Sequence, residues 1–150
     1  MDELRELYQE IILDHNKNPK NFGELPDANH SSEGYNPLCG DRIKVFLKVK
    51  DGLVEDIKFT GSGCAISRAS ASVMTTLVKG KTVQEAEELF KRFHDLVTQS
   101  PQAEVNLEEL DKLAVFAGVR EFPSRIKCAS LAWHTLIAAL KEKQEPISTE

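Results

Sequence analysis

The feature that most constrains this fold is a pair of alternating segments joined by Asp51-Gly52. In residues 43–50, Ile43, Val45, Leu47 and Val49 share one face, with Lys44, Phe46, Lys48 and Lys50 on the other. Residues 53–60 alternate again, with Val54, Ile57 and Phe59 as the strong apolar members. A period of two sends successive side chains to opposite sides of a strand, and Asp-Gly suits the tight turn between two such strands. Two antiparallel strands are predicted here.

The surrounding segments supply helices. Leu4, Leu7, Ile11, Ile12 and His15 follow a 3.6-residue period, so residues 3–15 are predicted helical. Residues 16–36 are rich in Asn, Pro, Gly and Ser and read as an irregular loop, with a short edge strand near Ser32 to Tyr35. Ala65 to Lys79 reads as a small-residue helix able to pack closely on the hairpin, capped by Gly80. Thr82 and Glu85 form a capping-box pattern ahead of a helix carrying Val83, Ala86, Leu89, Phe90 and Phe93 on one face. Leu107 to Phe116 reads as a further amphipathic helix ended by Gly118. Pro123 breaks the chain, Ser124 is the expected N-cap, and a last helix runs to about Lys143. Its core face is Ile126, Ala129, Trp133, Leu136, Ile137 and Leu140. The tail from Gln144 to Glu150 is expected to fray.

Composition narrows the function classes. The 150 residues suit one domain spanning residues 1–150, and a formal net charge of -5 argues against sequence-independent nucleic-acid binding. No apolar run approaches the roughly 20 residues that span a bilayer. The start, Met1-Asp2-Glu3-Leu4-Arg5, resembles neither a secretory signal nor a transit peptide, so a cytoplasmic location is expected. An odd cysteine count of 3 excludes a complete internal disulfide set.

Those cysteines carry the chemistry. They occur in Asn36-Pro37-Leu38-Cys39-Gly40-Asp41, in Gly61-Ser62-Gly63-Cys64-Ala65-Ile66-Ser67 and in Arg125-Ile126-Lys127-Cys128-Ala129. Three thiolates and one carboxylate complete a tetrahedral zinc set, and they could also partly ligate an iron–sulfur cluster. The hairpin should bring Cys39, Asp41 and Cys64 to one end of the sheet, with Cys128 arriving from a packed helix. Gly40 lets the Cys39 turn fold back. Cys64 stands at a helix start, where unpaired N–H groups and the helix dipole favour a thiolate. Cys128 is placed in the first turn of the last helix beside Arg125 and Lys127. A lone cysteine is most simply a small buried hydrophobe, but three thiolate-favouring settings with Asp41 make coincidence a poor account. A metal-bound thiolate can attack a persulfide, so Cys39, in the loop-rich turn, is the expected sulfur-accepting nucleophile. Arg125 is the expected activating or steering cation. His15, His30, His94 and His134 read as structural or solvated, the Glu85, Glu87 and Glu88 run as a solvated helix face, and Tyr35 as a packing residue.

These segments, in this order and with the hairpin between the first two, resemble the IscU-type iron–sulfur cluster assembly proteins over nearly the whole chain. Housekeeping scaffolds of that family have histidine before the third cysteine, where this chain has Lys127. They also carry a Leu-Pro-Pro-Val-Lys chaperone-recognition motif where this chain reads Phe122-Pro123-Ser124-Arg125-Ile126-Lys127. Both departures, and the long segment from Lys81 to Val119, resemble the SufU branch. The resemblance implies an α+β fold with a three-stranded antiparallel sheet packed against several helices on one side. It implies zinc at Cys39, Asp41, Cys64 and Cys128, and a cysteine desulfurase of the SufS type as persulfide donor, alongside other iron–sulfur assembly proteins. It weighs against chaperone-driven cluster transfer. Two alternatives stay open: a scaffold for a [2Fe-2S] cluster on the same residues, with iron bound there, and a zinc-stabilised interaction module without chemistry.

Overall fold

The Asp51-Gly52 hairpin forms one side of the sheet, with its second strand at the edge. The protein is described here by a computed structural model covering residues 2–37, 40–100, 111–141 and 147–148. After helix α1 (Asp2–Lys17) come strands β1 (His30–Asn36), β2 (Asp41–Lys50) and β3 (Leu53–Ser62), then helices α2 (Ala65–Val78) and α3 (Val83–Thr98). A 3₁₀ helix (Asp111–Glu121), helix α4 (Pro123–Leu140) and a two-residue strand β4 (Ile147–Ser148) follow.

The order across the sheet is β3-β2-β1-β4. The three long strands are antiparallel, as expected, with Asn36 opposite Asp41 and Arg42 opposite Ser62. Ile43, Val45, Leu47, Val54, Ile57 and Phe59 are fully buried on one face. Strict alternation would put Val54 and Ile57 on opposite faces. A register shift near Lys48 and Val49 pairs Val49 with Val54 and Lys48 with Asp56, so the extra residue Glu55 brings both to the core.

The helices cover that face. Helix α4 packs on β1 and β2, α2 packs on β3 and α4, and α1 packs on α2. The α4 sequence predicts a one-sided core face, but Cys128 through Trp133, Thr135, Leu136, Ala138 and Ala139 are all buried. A helix this apolar on every side belongs in the centre of a fold. Trp133 stacks on Phe93 with ring centres 4.9 Å apart. The hydroxyl of Ser70 donates to the carbonyl of Ala129, tying α2 to α4 one residue beyond Cys128.

Several expectations are corrected. Residues 101–110, and with them the start of the predicted 107–116 helix, lie outside the described residues. Residues 111–121 wind as a 3₁₀ helix that runs through Gly118 instead of ending there. Leu113 through Ala117 and Val119 are all buried, while Lys112, Gly118 and Glu121 are exposed. Helix α4 is capped by Phe122, not Ser124, and Pro123 occupies its first turn, where its missing N–H costs nothing. It ends at Leu140, short of Lys143. Within the tail expected to fray, Ile147 and Ser148 pair in parallel with Gly34 and Tyr35. The capping box is present as predicted: Glu85 N–H donates to the Thr82 hydroxyl at 3.0 Å, and Thr82 N–H donates to Glu85 Oε1 at 3.1 Å.

Two half-buried histidines are expected to make the fold sensitive to acid. His15 meets the Ser72 hydroxyl at 2.7 Å. Burial lowers its pKa from the ordinary 6.5; Asp14 opposes this, while Lys20 and Lys112 add to it. Burial also lowers the pKa of His134, with His94 adding to the effect. A folded-state value below the unfolded one means that the unfolded chain binds more protons near pH 6.5. The stability is therefore whole above that pH and is lost as pH falls through the depressed values. Tm should fall between about pH 7 and pH 5, and His134→Gln should make that fall shallower. An unchanged slope in the variant would refute this assignment.

Candidate metal centre

Three chain segments converge because the end of β1, the start of β2 and the end of β3 lie at one end of the sheet. Asn36 ends β1, Asp41 opens β2, and β3 ends at Ser62, two residues before Cys64. Gly40 has φ 71° and Gly63 has φ 143°, values open to glycine and strained for other residues. Gly63 is also required for space. A Cβ there would collide with Asp41 Oδ1 and stand 2.9 Å from its Cα and Cγ.

One ligand atom from each of Asp41, Cys64 and Cys128 lies within 4.8 Å of the others. Asp41 and Cys128 are each 2% exposed. Asp41 Oδ1 accepts the Cys64 backbone N–H at 2.8 Å, and Oδ2 lies 3.8 Å from Cys64 Sγ. The structure thus brings together three of the four predicted ligands, with the backbone reasons predicted for two of them. Leu38 and Cys39 lie outside the described residues. Cys39 is two residues from Asp41, so its Cα is at most about 7 Å from that of Asp41.

The electrostatics differ from the sequence expectation. Burial pushes the Cys64 thiol up; the amide of Ser67 and the side chain of Cys128 pull it down, Asp41 pushes it further up, and the amide of Ile66 pulls down. The predicted help from the start of α2 is present but outweighed by desolvation. Cys128 is also placed differently. With Phe122 as cap, it lies in the second turn of α4, beyond the helix N–H groups that lack internal partners. Buried thiols beside a carboxylate repel added negative charge, and a divalent cation reverses that balance because coordinated thiols are held deprotonated. Tetrahedral ligands with bonds of about 2.3 Å stand roughly 3.8 Å apart. A set of two sulfurs and one oxygen within 4.8 Å suits zinc in chemistry and lies within about 1 Å of that spacing.

Arg125 is exposed in the first turn of α4, and its guanidinium lies 4.3 Å from the centre of the Phe122 ring. Phe122 itself is 44% exposed. The pair therefore forms a cationic and apolar rim where α4 begins, three residues before Cys128.

Sequence reasoning missed Asn36. It is fully buried, and its Nδ2 donates to Asp41 Oδ2 at 3.1 Å and to Cys128 Sγ at 3.3 Å. Its Oδ1 is buried with no hydrogen-bond partner among the described residues. Leaving such an acceptor unmet costs about 1–3 kcal/mol. Asn36 is part of the first cysteine motif, but there it reads only as a turn former. Its one usable signal is register, since the antiparallel pairing of β1 with β2 sets it opposite Asp41. His94 and His134 lie in an aromatic cluster with Phe90, as structural residues would. Among the described residues no helix is long and apolar enough to cross a membrane.

The chain is similar to known iron–sulfur cluster assembly proteins. The chain is 44% identical over 133 residues to "Zinc-dependent sulfurtransferase SufU" of Bacillus subtilis (strain 168), covering 89% of this chain and 88% of that protein. It is 40% identical over 141 residues to "Iron-sulfur cluster assembly scaffold protein IscU" of Streptococcus pyogenes serotype M1, covering 94% and 87%. Among solved structures, a candidate iron–sulfur cluster assembly scaffold for the SUF system from Fervidobacterium islandicum AW-1 superposes with TM-score 0.80 at 36% identity. That match covers 91% of this chain and 98% of the other. A profile of the NifU-like N terminal domain matches residues 7–142, nearly the full length over which the strands, helices and cysteine segments are laid out, and the chain belongs to that family.

Proposed function

We propose that this protein is a zinc-dependent sulfur acceptor in iron–sulfur cluster assembly, charged by the persulfide of a cysteine desulfurase of the SufS type. The observation that carries the reading is the cluster of Asp41, Cys64 and Cys128, two of them buried, with Cys39 two residues before Asp41 in the sequence. Zinc bound by Cys39, Asp41, Cys64 and Cys128 would keep the thiols ionised at neutral pH. Cys64 starts a helix and Cys128 is buried within one, so both are anchored. Cys39, which precedes Gly40 in the sequence, is the sulfur assigned as acceptor. Its thiolate attacks the outer sulfur of the desulfurase persulfide. The S–S bond breaks, the desulfurase cysteine leaves as a thiolate, and Cys39 carries the sulfane sulfur as its own persulfide. Arg125 and Phe122 form the rim that meets the desulfurase, with the guanidinium steering anionic groups on that partner.

The test is persulfide mapping by mass spectrometry after incubation with the desulfurase and cysteine, with desulfurase turnover measured in parallel. Persulfide is expected on Cys39. Arg125→Ala should retain zinc and fold but lose most of its stimulation of the desulfurase, and Arg125→Lys should recover part of it. Persulfide on Cys128 and never on Cys39 would refute the acceptor assignment. Undiminished stimulation by Arg125→Ala would refute the role of the rim. The scaffold reading draws on the same residues and on the 40% identical relative named as a scaffold. It requires protein purified without oxygen from its own host to be brown and iron-bearing, whereas the acceptor reading requires it to be colourless and zinc-bearing.

A further inference from the structure

Asn36 is the buried polar side chain whose role the sulfur-acceptor reading leaves unassigned. Its amide has two N–H donors, and the two groups it meets are the carboxylate Oδ2 of Asp41 and Sγ of Cys128. Both become anionic in a metal site. Turning the amide over would set its carbonyl oxygen against the carboxylate and the sulfur, so the observed orientation is the one that chemistry requires. That orientation leaves Oδ1 buried and unpartnered among the described residues. The other carboxylate oxygen of Asp41 is already held by the Cys64 backbone N–H. Both oxygens are thus tethered, and Oδ2 is the one turned toward Cys64 Sγ.

We infer that Asn36 is a positioning residue for the metal centre: its two N–H groups hold Asp41 Oδ2 and Cys128 Sγ as a preformed pair of ligands. The inference rests on the zinc reading above. Its strand position makes this arrangement rigid. Asn36 ends β1 directly opposite Asp41, while Cys128 comes from α4, so one side chain links a hairpin to the central helix. Donation to a ligating sulfur draws electron density from it and lowers its nucleophilicity. Asn36 therefore marks Cys128 as an anchoring sulfur and leaves transfer to a sulfur without that bond.

The experiment is zinc affinity of the full chain by competition with a chromophoric chelator, comparing wild type with Asn36→Leu and Asn36→Asp. Leucine keeps the volume and removes both donors. Aspartate keeps the shape and replaces the donors with a negative charge. Affinity should fall roughly 10- to 100-fold in Asn36→Leu and further in Asn36→Asp. A second measurement needs no variant. In ¹⁵N-labelled wild type loaded with ¹¹³Cd, an Asn36 side-chain amide proton should show scalar coupling to the metal through the Cys128 sulfur. Wild-type affinity in a folded Asn36→Leu overturns this inference alone, as does a cadmium-loaded protein without the coupling. A wild type that takes up no zinc overturns the metal reading as well.

Discussion

Cys128→Ser is expected to lose nearly all of its zinc while keeping its fold. The side chain is 2% exposed and supplies one of the three ligand atoms lying within 4.8 Å of one another. Serine matches the shape but offers a hard, weakly acidic oxygen where a soft thiolate stood. Changes to residues that merely support ligands cost roughly 10- to 100-fold in affinity, and loss of a ligand should exceed that. The fold should persist because the core does not depend on the site. Trp133, Phe59, Phe93 and Phe116 are fully buried in it. Metal bound only by the folded state at a thousandfold excess over Kd adds about 4 kcal/mol. For a chain of this size that corresponds to roughly 8–16 °C in Tm. Chelation of the wild type should lower Tm by about that much, and Cys128→Ser should begin at the lower value and ignore the chelator. Elemental analysis with thermal melts checks both. Full zinc occupancy in Cys128→Ser would remove this sulfur from the ligand set.

Gly63→Ala should damage the fold and the metal centre together. The added Cβ would run into Asp41 Oδ1 and lie 2.9 Å from the Asp41 Cα, which is backbone and cannot swing aside. The φ of 143° adds strain for any residue with a side chain. Overpacking and backbone strain each cost about 1–3 kcal/mol, so a total on the order of 3 kcal/mol is expected. Relief requires the Asp41 carboxylate to move, which breaks its bond from the Cys64 N–H and spoils the ligand set. Zinc and Tm should therefore fall together. Gly40→Ala is the matched control. Its φ is 71°, but a Cβ there meets nothing within 4 Å. It should cost about 1–2 kcal/mol in strain while leaving the Asp41 oxygens clear. Equal zinc loss in the two variants would mean that strain, not the collision with Asp41, governs the site.

Much of this was legible in the chain because the signals were local. Alternation about Asp51-Gly52 determined the hairpin, and the hairpin determined that Asp41 and Cys64 would share one end of the sheet. Thr82 and Glu85 determined a helix start through hydrogen bonds three residues apart. What the tertiary structure alone decided depended on contacts between distant segments. Residues 111–121 took 3₁₀ geometry and ran through Gly118, which no local signal in the segment announced. Phe122 became the cap of α4 in place of Ser124, which moved Cys128 from the first turn to the second. Burial overrode the helix start at Cys64, because desolvation depends on what packs around a group and not on its neighbours in sequence. Asn36 lies 92 residues from Cys128, and only folding could place its amide between that sulfur and Asp41.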